Sequence, residues 1–197
     1  MANADVLPFR FGNFADNVQM YLGEVKQLAA SMRTETELHN RLVENDSYET
    51  ASDPTKTYVP PEAKEPVPHI NFAPVENAVA RLEAAAARYD ELMTSAVSQG
   101  LLGGGTGERL NNLLQGMEQR MTREEGLPRR PWFRHMIYAP GFWTGYGVKT
   151  LPGIREGLEE RAWDEVDMFV DEVAAALNRV SDGLDQAAAL LSAAEPG

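Results

Sequence analysis

Residues 163–191 read WDEVDMFVDEVAAALNRVSDGLDQAAALL. Trp163, Val166, Val170, Val173, Leu177, Val180, Leu184, Ala187 and Leu191 follow one another at alternating steps of three and four. A repeat of about 3.5 residues sustained over roughly four heptads puts these side chains on one seam and calls for packing along another helix. Ala174, Ala175 and Ala176, then Ala187, Ala188 and Ala189, let a neighbouring backbone come close. Glu159, Glu160, Asp164, Glu165, Asp167, Asp171 and Glu172 crowd what reads as the start of this helix, where negative charge complements the helix dipole. From Asp164 onward they fall off the seam and read as a solvated face. They lack the Asp-x-Asp-x-Asp-Gly order of a calcium loop.

Working outward, three more stretches have helical period. Phe14, Val18, Tyr21, Val25, Leu28 and Met32 form a stripe for a first helix starting near Asn13, whose side chain is positioned to cap it. Leu38 and Leu42 extend that pattern more weakly. Val75, Val79, Leu82, Ala86, Tyr89, Met93 and Ala96 predict a second helix from about Pro74 to Ser98. Leu110, Leu113, Met117 and Met121 predict a third over about Thr106 to Thr122. Between the first two lies a proline-rich connector, residues 48–70, with Pro54, Pro60, Pro61, Pro66 and Pro68. No long helix runs through such a stretch, and it reads as an extended strap or a proline ligand for another domain. Gly100, Gly103, Gly104, Gly105 and Gly107 end the second helix; without a following Lys-Ser/Thr pair they are a connector rather than a phosphate cradle. The expected fold is all-α: a four-helix bundle in one domain, residues 1–197, with a coiled-coil dimer seam as the competing use of the heptads.

Composition narrows the function. The chain has 197 residues, 43% hydrophobic and 24% charged, with a net charge of −12. That charge argues against nucleic acid or an anionic membrane as partner. No cysteine is present, so disulfides and thiolate metal sites are excluded. Apolar runs such as Ala187–Ala194 are too short to span a bilayer, and the first residues, Met-Ala-Asn-Ala-Asp, do not read as a secretory signal. His39, His69 and His135 are the only histidines, and no pair has zinc-ligand spacing. Glu35 and His39 can share a helix face but read as a solvated pair, and His135 as a structural histidine. No catalytic, cofactor-binding or metal-ligating residue is expected in this chain.

One segment is neither helix nor ordinary loop. Residues 126–154 read GLPRRPWFRHMIYAPGFWTGYGVKTLPGI, and Trp132, Phe133, Tyr138, Phe142, Trp143 and Tyr146 fall within it. Such a density of rings requires cover from the helices, another domain or a second subunit. Arg129, Arg130, Arg134 and His135 lie among them, which suits an ordered junction with bidentate acceptors.

The string GLPRRPWFRHMIYAP followed by LPGI resembles the C-terminal dimerisation domain shared by glutamate carboxypeptidase and the transferrin receptor. The likeness extends to Val6-Leu7-Pro8-Phe9, where the family chain leaves its peptidase domain, and to the order of the helices. It implies a homodimer, a peptidase domain as neighbour, and two zinc ions held in that separate domain rather than here. It implies a parent that is periplasmic or secreted. In the peptidase members a Lys-Tyr pair of this loop grips the substrate's terminal glutamate, and the matching positions here are Gly145 and Tyr146. The tyrosine is kept and the lysine is not, so an acidic terminal residue is not assured as substrate. A receptor-like parent without peptidase activity and a stand-alone helical binding protein are the alternatives. In a chain without the peptidase domain, Trp143 is expected to find cover on the helices or a second copy, leaving Tyr146 the most accessible ring of the loop.

Overall fold

A computed structural model of the chain describes residues 6–53, 55–145 and 147–194. The protein is mostly helical: α1 (Gly12–Glu44), α2 (Ser47–Thr50), α3 (Ala73–Gln99), α4 (Gly104–Gln115), α5 (Pro152–Glu159) and α6 (Trp163–Ser192). A 3-10 turn, Glu118–Met121, follows α4, and a two-stranded antiparallel hairpin of β1 (Tyr138–Pro140) and β2 (Val148–Thr150) precedes α5. The hairpin is an addition to the all-helical expectation.

The most extensive interface joins α3 to α6, with α1 laid on α3 and α4 on α6. Every seam residue of α6 from Val166 to Leu191 is buried, as is the full predicted stripe of α3. Phe169, Ala176, Ser181 and Ala188 are buried as well, so α6 is covered on more than the seam. Part of that cover comes through Gly183, where a Cβ would stand 2.8 Å from the Met117 sulfur at the 3-10 turn. The glycine lets the end of that flexible side chain rest on the helix backbone without shifting.

The N-terminus of α1 departs from expectation. Its cap position is Phe11, with no capping side chain of its own; Asn13 is already inside the helix. The Asp90 carboxylate on α3 accepts the amides of Phe11 (3.1 Å) and Gly12 (3.0 Å) instead. Free first-turn N–H groups are thus satisfied across the α1–α3 interface. The α1 stripe is also rotated: Ala15, Leu22 and Ala29 are fully buried with Val18 and Val25, whereas Phe14, Tyr21, Leu28 and Met32 flank them, partly buried.

Segment 62–68 runs extended along α1, held through its main chain. Asn40 donates to the Lys64 carbonyl (2.7 Å) and accepts its amide (2.8 Å); Arg33 donates to the Pro68 carbonyl (2.8 Å) and Arg161 to that of Glu65 (2.7 Å). His39 lies 2.9 Å from the Glu62 carbonyl and 3.1 Å from the Tyr48 hydroxyl. His39 therefore serves the strap rather than a solvated pair with Glu35.

The stretch read as one last helix is two. α5 begins after Leu151, a non-glycine residue at φ 46°, with Pro152 in the first turn. It ends at Glu159, the chain turns through Arg161 (φ 56°), and α6 starts at Trp163. Glu159 and Glu160 thus close α5 instead of opening α6.

Candidate functional site

The aromatic segment forms a platform on α5 and the start of α6. Its centre is an ion pair: Arg130, 3% exposed, and Glu156, 5% exposed. One terminal nitrogen of Arg130 donates to both Glu156 oxygens, at 2.7 and 2.6 Å. The other donates to the carbonyl of Pro140. The guanidinium lies over the rings of Phe133 (5.4 Å) and Phe142 (5.9 Å). A buried pair tolerates desolvation better the more of its remaining hydrogen-bonding capacity is used: Glu156 Oε1 accepts in addition the amide of Phe142, at 2.9 Å, while the Arg130 Nε is left without a partner.

A second layer surrounds this centre. Arg129, at φ 61°, reaches Glu165 with both terminal nitrogens (2.9 and 3.2 Å) and Glu160 (3.0 Å), and covers the outer face of Phe142 at 5.7 Å. Trp143 meets Phe142 edge to face at 4.9 Å and donates its indole N–H to Glu160 at 3.0 Å. The hydrogen bond with Glu165 dominates in holding the Arg129 pKa above its usual value.

Beside it, His135 Nδ1 accepts the amides of Ile137 and Tyr138 at 3.2 and 3.3 Å. An acceptor Nδ1 places the proton of the neutral ring on Nε2, which stands 3.3 Å from Glu118 in poor alignment for a hydrogen bond. Burial pushes the His135 pKa below its usual 6.5, against the opposing pull of Glu118. The Tyr138 hydroxyl donates to Glu118 at 2.8 Å, which raises its pKa, with burial adding to the effect. His135, Tyr138, Trp132, Arg134, Gly145 and Val148 border a groove of about 460 Å³.

Gly145 sits exposed at the hairpin tip, φ 63°, with no heavy atom within 4 Å of where a Cβ would be. Tyr146 lies outside the described residues. Trp143 is not covered by the helices: it is 79% exposed, and Trp132 is 71% exposed. The hydrogen bond to Glu160 holds the indole at its edge, leaving most of the ring's surface to solvent. Among the described residues no group of three or more His, Cys, Asp or Glu side chains could hold a metal ion, and no helix is long and apolar enough to cross a membrane.

Sequence reading found the arginines and rings of this platform but missed Glu156. Its only signal is a carboxylate in Pro-Gly-Ile-Arg-Glu-Gly-Leu, where the neighbours Ile154, Gly157 and Leu158 face the core.

The sequence matches the transferrin receptor-like dimerisation domain over residues 70–185, which takes in the whole platform. It is 30% identical over 79 residues to a "probable glutamate carboxypeptidase" of Arabidopsis thaliana, covering 36% of this chain and 12% of that protein. It is 40% identical over 52 residues to a "probable glutamate carboxypeptidase" of Arthroderma benhamiae, covering 26% and 7%. These matches thus span about a tenth of the length of the relatives.

Proposed function

The chain belongs to the transferrin receptor-like dimerisation domain family, and from that premise we propose that it is the non-catalytic dimerisation domain of a glutamate carboxypeptidase-like zinc exopeptidase. On this reading residues 1–197 act as one domain in which α1, α3, α4 and α6 work as a four-helix bundle. The domain holds two subunits together, and its loop of residues 141–150, whose sequence includes Gly145 and Tyr146, faces the substrate pocket of a peptidase domain. The two zinc ions and the bond-breaking chemistry belong to that peptidase domain.

The observation that carries the reading is a platform presenting Trp132 and Trp143 largely bare. Large rings fixed in place and left uncovered mark an association surface. A neutral Gly145 in place of a lysine removes the charge that would favour an acidic terminal residue, so the substrate's last side chain need not be acidic.

Sedimentation over about a hundredfold range of concentration tests the association. A dimer is expected, weakened when Trp132 and Trp143 are both changed to Ser; a monomer throughout defeats the reading. In the parent peptidase, Tyr146→Phe is expected to raise KM with kcat little altered, as loss of a substrate-binding contact does.

A further inference from the structure

Among the described residues, β1 has a strand beside it on one flank only. In the register Ala139↔Lys149, the polar groups of Ala139 face β2, as does the Gly141 amide, which donates to the Gly147 carbonyl at 2.8 Å; the Gly141 carbonyl turns instead to the Gly145 amide at 3.0 Å. Main-chain groups alternate in direction along a strand, so the Pro140 carbonyl faces the opposite way, and the Phe142 amide just past β1 points to the same side, toward Glu156. Left alone in a site as closed as this, they would be orphaned. Arg130 donates to the first and Glu156 accepts from the second.

A donor to the carbonyl of one residue and an acceptor for the amide two positions on is the pattern that one residue of a parallel neighbouring strand would supply. Here two side chains, joined through their own ion pair, supply it. We propose that the Arg130–Glu156 pair is a surrogate for a third strand, and that Glu156 is thereby the positioning residue of the Gly141–Gly145 turn. The turn is then set by this domain before any partner arrives. On this proposal the rings stay bare while the backbone beneath them is fixed. The inference deepens the reading above, in which this turn faces a substrate pocket, and its test needs neither substrate nor a second subunit.

The test is hydrogen exchange on the whole 197-residue chain, with the Trp143 indole N–H followed by NMR. In Glu156→Gln the protection of the Phe142 amide is expected to fall about tenfold or more, while the amides of α1 and α3 keep theirs. The Trp143 indole signal should move with it. Glu156→Gln also strands a buried guanidinium, so Arg130→Met/Glu156→Leu is the second variant; an apolar pair restores packing without the surrogate. A folded double variant with Phe142 unprotected supports the proposal. Wild-type protection of Phe142 in either variant overturns it. Unfolding of both also overturns it, since the pair would then serve the whole fold rather than the turn. A wild-type chain that stays monomeric at every concentration with Phe142 still protected would strike the functional reading alone.

Discussion

Asp90 closes the N-terminus of α1 from another helix: its carboxylate lies 3.0 Å from the amide of Gly12. The same carboxylate takes the Phe11 amide, and the Asp90 carbonyl accepts Arg10. Asp90→Ala is expected to cost about 1–2 kcal/mol, the worth of a lost helix cap. Asp90→Asn keeps one acceptor and should cost less. Urea denaturation of both variants checks the order; equal losses would point to packing rather than capping.

Gly153 stands where α5 meets α6. A Cβ there would lie 2.2 Å from the Phe169 ring, and both elements are rigid. Gly153→Ala is expected to destabilise by about 1–3 kcal/mol through overpacking. Phe169→Leu should recover part of that loss in the Gly153→Ala background although it is harmful alone. Additive losses in the double-mutant cycle would show that the two positions do not compete for space.

His135 gives stability a pH dependence of known sign. Burial lowers its folded pKa below 6.5, with Glu118 opposing, so between those two values the unfolded chain binds more protons than the folded one. Its contribution is fully present above pH 6.5 and is lost as the pH falls through the lowered folded value. Protonation would also cost Nδ1 its role as acceptor for two amides. The stability of the wild type relative to His135→Gln should therefore decline on acidification below pH 6.5. A difference that stays flat, or grows, refutes the assignment.

Trp143 offers an optical check. In a variant retaining only this tryptophan, with Trp132→Phe and Trp163→Phe, acrylamide is expected to quench the dilute chain nearly as well as free indole. Protection should appear as the chain is concentrated and a second copy covers the ring. Strong protection at every dilution would contradict the exposed placement.

The α6 seam and the α3 stripe were legible because both helices repeat the same spacing over their whole length. α1 was read a fraction of a turn off. Its large residues drew the stripe, yet Ala15, Leu22 and Ala29 make the closest approach and the large side chains lie beside them. α4 shows a similar shift, burying Leu114 fully rather than Leu113. The break between α5 and α6 was hidden because Arg161 enters the left-handed region without a glycine to announce it. Its guanidinium explains the placement, reaching Thr36 on α1 at 2.5 Å, the Glu65 carbonyl, and the face of Trp163. Likewise Asp90 and Glu156 act on residues far away in sequence, through contacts that no local pattern encodes.

The strap along α1 is gripped by its carbonyls and one amide: those of Glu62, Lys64, Glu65 and Pro68. Side chains of the strap contribute none of these bonds, so what α1 recognises is an extended chain of fixed length. Val67 alone in 62–68 is buried; substitutions at the exposed positions that preserve extension are close to neutral, and prolines favour it by restricting the unfolded chain. An inserted residue within 62–68 is different, because it moves every carbonyl out of step with Arg33, His39, Asn40 and Arg161 together. The strap is therefore a ruler: outside Val67 its spacing matters and its spelling hardly does.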